Sequence, residues 1–327
     1  MVPVGIVGLS PAWETRYRPA IRSLSGRIAI RAIYDPVANR AEMAASEFEA
    51  ATVTGIRSLA RRADLKALLI LDRGWCGNEA IRLLCDLDRP MFIGGAIANE
   101  AASFDRLHDA VRSTGVMVMP ELGQRYTAAT IRLRELIATS LGRPRVIDIE
   151  ADAPAVPPEG QPLGAEPWSE FIARLVDWCC AVITTQPVEI LAQADRDKGP
   201  ETILMQFARP RSGGAAPIVT IRLREGAARN KGCATSPIYR VECENGTAEI
   251  TSPQQIAWQA GDRREDECLT SERSDLQVML DHFCRRVVGG LVPVADLGDV
   301  RRSWILAQAA AESMRTRSAV RLAEQLN

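Results

Sequence analysis

The stretch Val4-Gly5-Ile6-Val7-Gly8-Leu9-Ser10-Pro11-Ala12-Trp13, with Ile28-Ala29-Ile30-Arg31-Ala32-Ile33-Tyr34-Asp35 after it, decides the fold. Val4–Leu9 is a short apolar run closed by a polar turn, the pattern of a strand buried on both faces. Pro19–Leu24 belongs to a helix, and Ile28–Tyr34 is the next strand. Asp35-Pro36 then opens a helix over Ala38–Phe48, with Ala41, Ala44, Ala45 and Phe48 on one face. The alternation continues with strand Ala67–Leu71, helix Asn78–Leu87, strand Met91–Ile93, helix Glu100–Ser113 and strand Val116–Met119. Strands and helices alternating at this spacing predict a parallel, doubly wound sheet over residues 1–122.

From residue 123 the texture changes. Ala128–Ser140 is helical and Arg145–Glu150 strand-like, while residues 151–167 carry five prolines and two glycines and read as loop. After a helix over Trp168–Ile183 come Val188–Ala192, Thr202–Phe207, Ile218–Leu223, Tyr239–Cys243 and Thr247–Thr251. These β-branched segments, joined by Gly, Pro and Asn turns, predict an open, largely antiparallel sheet with one wetted face. Leu276–Val288 and Val300–Arg317 return to helix. The expected class is α/β, a doubly wound parallel domain over 1–122 followed by an α+β domain over 123–327. Its last helix, within 300–324, is placed to pack back on the first domain.

Composition narrows the function classes. The 327 residues suffice for two cores, and 46% hydrophobic with 25% charged residues is a globular balance. A net charge of −1 creates no global field toward nucleic acid or acidic membranes, and no helix-turn-helix or basic stripe is present. The longest apolar runs fall far short of the ~20 residues of a membrane span. Residues 1–10 lack the basic and apolar regions of a secretory leader. Eight cysteines form neither a CxxC pair nor a zinc pattern, so no metal is expected and a reducing, cytoplasmic setting is. Cys179-Cys180 reads either as a redox pair or as ordinary packing.

Groups that shuttle protons near neutral pH are scarce. His108, His282, Lys66, Lys198 and Lys231 are the whole stock of histidine and lysine; the other 37 of the 40 Lys and Arg residues are arginine, a fixed charge.

The turn after the first strand is the place to look for a dinucleotide, since backbone N–H groups and a helix end hold a pyrophosphate there. Against G-x-G-x-x-G, the turn Gly8-Leu9-Ser10-Pro11-Ala12-Trp13 keeps only its first glycine. Ser10 adds a Cβ, Pro11 removes a donor and Trp13 is bulky. Ser10-Pro11 is nonetheless a sound N-cap and first helical residue, which predicts that the helix end still forms. Asp35, at the end of the second strand, is placed either to accept hydrogen bonds from a ribose or simply to open its own turn. Gly8, Ser10, Asp35 and Arg40 are thus the cofactor-binding candidates, with NAD the cofactor expected if one binds.

Tyr34-Asp35 with Asn39-Arg40-Ala41, then Gly123-Gln124-Arg125-Tyr126 leading into Arg134-Glu135-Leu136-Ile137 and Leu141-Gly142-Arg143, resembles the Gfo/Idh/MocA oxidoreductases. Pro187-Val188-Glu189, Val241–Glu249 with its central Asn245-Gly246, and Asp281-His282-Phe283 through Gly289-Gly290 to Ser303–Ser313 follow the same order. The resemblance implies a Rossmann-like domain, an open-sheet second domain, a substrate between them, and sheet faces that pair into a homodimer or higher oligomer.

The same resemblance shows where this chain departs. The family's Glu-Lys-Pro, whose lysine helps move a proton during hydride transfer, matches Gly94-Gly95-Ala96. Its Thr-Pro…His segment matches Asp72-Arg73…Gly77, and its Asp-x-x-x-His-x-x-Asp matches Glu170-x-x-x-Arg174-x-x-Asp177. Losing one general acid or base lowers a rate by about 10²–10⁴. A buried carboxylate could substitute, and Asp72, Glu170 and Asp177 are the candidates.

Arg73, Trp75, Gly94, Gly95, Arg125, Tyr126, Trp168 and Arg174 are the candidates for a cleft that takes a sugar- or acid-like ligand. The competing reading of the arginines is an internal network, Arg174 with Glu170 or Asp177 at helical spacing. Two functions are expected to compete: a non-catalytic or atypical ligand-binding relative, and an active NAD(P)-dependent oxidoreductase on a sugar, polyol or related molecule with relocated acid–base groups.

Overall fold

A computed structural model describes residues 1–72, 74, 77–95, 101–153, 166–193, 201–224 and 236–322. The chain divides into two compact units, residues 1–123 with 273–300 and residues 124–272 with 301–327.

In the first unit, β1 (Val2–Val7), β2 (Ile28–Tyr34), β3 (Ala51–Thr52), β4 (Ala67–Ile70), β5 (Met91–Ile93) and β6 (Val118–Pro120) form one parallel sheet. Their order is β3-β2-β1-β4-β5-β6. Every residue of β4 and β5 is buried, which requires cover on both faces and hence helical crossovers. β1 lies between β2 and β4, so the chain changes its direction of travel across the sheet there. Ligands of such sheets meet the carboxyl ends of the strands at that point. Gly8 after β1, Asp35 after β2, Gly94 after β5 and Glu121 after β6 all stand on that rim.

The helix Asp275–Val287 opens with a capping box between Ser274 and Gln277. A division at 122/123 puts this helix in the second domain; in the structure it groups with the first unit. Leu276, Met279, Leu280 and Phe283 are buried, and Phe283 meets Phe92 of β5 edge-on with ring centroids 6.0 Å apart. Sequence period predicted the helix but does not name its partner. From Arg301 on, the helix Leu297–Thr316 groups with the second unit.

The second unit holds β7 (Pro144–Asp152), β8 (Pro187–Gln193), β9 (Glu201–Phe207), β10 (Ile218–Arg224), β11 (Ile238–Cys243), β12 (Gly246–Ser252), β13 (Gln255–Ala260), β14 (Arg263–Cys268) and β15 (Val320–Arg321). They form one sheet, β14-β13-β12-β11-β7-β10-β9-β8-β15. β7 and β10 run parallel, and the other neighbours run antiparallel. Alternation explains its two faces. Ile147, Ile149, Val219, Ile221, Tyr239 and Val241 share a core with Ile172, Val176 and Trp178 of the helix Glu166–Val182. The opposite face carries Asp148, Glu150 and Asp152 of β7, paired with Arg222 and Arg224 of β10 and Arg240 of β11. Among the described residues no helix is long and apolar enough to cross a membrane.

Candidate functional site

The turn after β1 is closed by the chain's own groups. Gly8 takes φ 71°, a left-handed conformation that glycine adopts without strain, and its N–H donates to the Tyr34 carbonyl at 2.7 Å. Asp35 is 5% exposed. Its Oδ2 accepts the Leu9 N–H at 2.7 Å and its Oδ1 accepts the Val37 N–H at 2.9 Å. Arg40 donates to the Leu9 carbonyl and lies 3.8 Å from Asp35 Oδ2. Asp35 thus opens its own turn and also ties down the preceding one.

The Ser10 hydroxyl accepts the Ala12 N–H at 3.1 Å, and the Ser10 carbonyl accepts the Trp13 N–H at 2.9 Å. The expected α-helix does not begin at Pro11. A wide turn over Trp13–Tyr17 intervenes, in which the Tyr17 N–H reaches back five residues to the Ala12 carbonyl at 3.3 Å. Regular α-helix begins at Arg18 and covers Arg18–Ser23. Pro11 offers no N–H, and burial of Trp13 and Tyr17 at 4% and 3% exposure overrides the local capping signal. Trp13 packs edge-on against Phe48, centroids 6.0 Å apart.

Further along the rim a second cluster forms that the sequence did not disclose. Tyr17 Oη donates to Glu121 Oε2 at 2.5 Å, and the Gly95 N–H donates to the same oxygen at 3.1 Å. Arg16 donates to Glu121 Oε1 and, through Nη2, to Asp275 Oδ2 at 2.8 Å. A Cβ on Gly94 would collide with the Tyr17 hydroxyl. Burial first, then the charge of Glu121, hold the Tyr17 phenol well above the ordinary phenol range. Burial opposes the charge of Arg16, yet Glu121 and Asp275 outweigh it and raise its pKa. The paired glycines were the only signal in the sequence, since Tyr17 lies 104 residues from its partner.

In the second unit Arg125 and Asp177 come together. Asp177, 2% exposed, accepts from Arg125 Nε at 2.8 Å and Nη2 at 2.5 Å, and from Ser303 Oγ at 3.0 Å. The expected pairing of Asp177 with Arg174 is replaced by this bidentate pair. Arg174 is exposed, with its guanidinium 5.8 Å from the Phe171 ring centroid. Tyr126 is buried, and Trp168 Nε1 donates to Glu201 at 3.1 Å. Glu170 is half-buried.

In the first unit, Asp72 is half-buried and accepts the Gly74 N–H at 3.0 Å. Arg73, Trp75, Lys198 and Lys231 lie outside the described residues. Lys66 is exposed ahead of β4, at the end of the sheet away from the rim. Among the described residues no three His, Cys, Asp or Glu side chains gather as a metal site. Burial raises the Cys179 thiol and pushes that of Cys180 up to about 12, so neither offers a thiolate.

No protein-family model and no curated protein matches the chain. Solved structures do. UDP-N-acetylglucosamine 3-dehydrogenase GnnA of Acidithiobacillus ferrooxidans is 16% identical, over 96% of this chain and 98% of that one, with a TM-score of 0.72. An oxidoreductase of Agrobacterium radiobacter in complex with NAD+, L-tartaric acid and magnesium is 12% identical over 99% of each chain, with a TM-score of 0.76. The fold is that of the Gfo/Idh/MocA oxidoreductases. A super-repressor mutant of Gal80p from Saccharomyces cerevisiae shares it as well, at 14% identity over 100% of this chain and 99% of that one, TM-score 0.76. The Gfo/Idh/MocA fold therefore includes a repressor beside the oxidoreductases, and the function of this chain must be argued from its own residues.

Proposed function

We propose that this chain is a Gfo/Idh/MocA-fold protein that has left the family's proton-coupled hydride transfer and works by binding a sugar- or acid-like small molecule. The observation that carries this reading is the turn after β1. A dinucleotide needs backbone N–H groups pointing outward there. Gly8, Leu9, Ala12 and Trp13 give theirs to partners within the chain, Pro11 has none, and Asp35, the ribose candidate, is buried with its two oxygens taken by the Leu9 and Val37 N–H groups. The residues present do not fit a pyrophosphate in that pose.

The proton-handling groups support the same conclusion. Gly95 stands where the resemblance places a lysine, and its neighbours Tyr17 and Arg16 keep their protons at neutral pH. Of the three carboxylates that could substitute, Asp177 is bound by Arg125 and Ser303, and Asp72 caps Gly74. Titrating the protein with NADH while following tryptophan emission tests the reading, because Trp13 belongs to the turn. No saturable quenching up to about 1 mM is expected; a micromolar Kd would overturn the proposal and favour an active NAD(P)-dependent oxidoreductase.

Two further parts of the proposal concern setting and assembly. The scattered cysteines support a cytoplasmic location. The acid–arginine face of the nine-stranded sheet supports a homodimer, since alternating charges of both signs are self-complementary about a two-fold axis. Sedimentation of the protein is expected to give a dimer that R222E/R240E converts to monomer. A monomeric wild type would end that part.

A further inference from the structure

Asp281, in the helix Asp275–Val287, is 1% exposed and is approached by three arginines. Arg27 Nε lies 3.3 Å from Oδ1, Arg273 Nη1 lies 3.4 Å from Oδ2, and Arg285 Nη2 lies 2.9 Å from Oδ2. The chain contains its own control for what a buried carboxylate requires. Asp177, equally buried, is held by the single bidentate guanidinium of Arg125 with the help of one serine hydroxyl. At Asp281 one carboxylate therefore gathers three positive charges, two beyond neutrality. Asp275, the acid in the first turn of the same helix, is engaged with Arg16.

Like charges held together repel one another unless an anion joins them. The three side chains are 56%, 53% and 44% exposed, with nitrogens 3.3, 3.4 and 2.9 Å from the Asp281 carboxylate. A guanidinium carries five N–H donors in a planar fork, so these half-exposed side chains keep donor capacity beyond what one shared carboxylate can take up. Forks of this kind match the oxygens of a phosphate two at a time.

The geometry points to a second ligand site: Arg27, Arg273 and Arg285, positioned by Asp281, bind a phosphate-bearing small anion. Location separates it from the turn after β1. Arg27 directly precedes the seven-residue strand β2, whose far end carries Asp35. At about 3.3 Å per residue the two ends of β2 stand roughly 20 Å apart.

Isothermal titration of the whole protein with pyrophosphate, and separately with inorganic phosphate, at low ionic strength tests this. Saturable binding is expected, tighter for pyrophosphate because it can engage more than one fork. If phosphate alone saturates the site and pyrophosphate competes no better, the ligand is a single phosphate group. R27Q and R273Q, made singly, are each expected to weaken binding about tenfold or more. R286Q, whose guanidinium instead donates to the Gly290 carbonyl, should bind as wild type does. R27K, which keeps the charge and loses the fork, should fall between. Circular dichroism without ligand establishes that each variant is folded; if R27Q is not, R273Q carries the test. Absence of saturable binding of either anion by about 10 mM, or equal binding by R273Q and wild type, would overturn the proposal.

Discussion

Gly94 is small because Tyr17 comes to it. The hydroxyl of Tyr17 reaches Glu121 by passing where a Cβ of residue 94 would stand. Replacing Gly94→Ala therefore pushes the phenol off the carboxylate, and overpacking of this kind destabilises by roughly 1–3 kcal/mol. In a Tyr17→Phe background the hydroxyl is gone and the same methyl should cost less. Urea unfolding of the wild type, both single variants and the double variant is expected to give a coupling of about 1 kcal/mol; additivity within about 0.5 kcal/mol would reject the contact. Residue chemistry was only half legible in the sequence. Two glycines after β5 could be read only as places without a side chain, one of them where the resemblance puts a lysine. That a tyrosine from the first turn and a glutamate from the end of β6 meet there could not be read, because no local pattern links positions so far apart. Asp35 shows the same limit, for its turn-opening role was local and visible while its hold on Leu9 was not.

At the scale of elements, strands buried on both faces were plain from their apolar runs, and β14 was not. Arg263–Cys268 is mostly charged, with no alternation of apolar residues, and becomes a strand by pairing with β13 at the sheet edge. Side chains secure this edge: Glu267 accepts from Arg132 at 2.8 Å and from Trp258 Nε1 at 2.7 Å. The Arg132 hydrogen bonds, with that of Trp258 behind them, hold the Glu267 carboxyl below its ordinary range. A carboxylate with a depressed folded pKa stabilises above its unfolded value near 4.5, and the contribution disappears as pH falls through the folded value. E267Q is thus expected to lose about 1 kcal/mol at pH 7 and to approach the wild type in acid. Unfolding midpoints at pH 7 and pH 3.5 check it, and an undiminished gap in acid would refute the ion pair. The wide turn over Trp13–Tyr17 was missed for a different reason: local capping chemistry favoured a helix at Pro11, and burial of two aromatic side chains prevailed.

For the whole molecule, two histidines leave few groups to titrate between about pH 6 and 8, so stability should be nearly flat there. Alkali is different, because this fold buries neutral acids. Burial pushes the thiol of Cys85 up to about 11 and those of Cys180, Cys243 and Cys284 up to about 12, and raises the phenols of Tyr17 and Tyr239. The unfolded chain releases these protons from about pH 9 for thiols and 10 for phenols, while the folded chain retains them. Above pH 9 the native state therefore binds more protons than the unfolded one, and unfolding free energy must fall as pH rises, by up to about 1.4 kcal/mol per pH unit for each group. Urea midpoints measured from pH 7 to 11 should hold level and then decline. Cys284→Ala removes one such group from both states, so it should lower stability at pH 8 through lost packing yet decline less steeply beyond pH 9. Equal slopes for the variant and the wild type would mean that the Cys284 thiol ionises as readily inside the fold as outside it, which its 2% exposure against the core of the first unit contradicts.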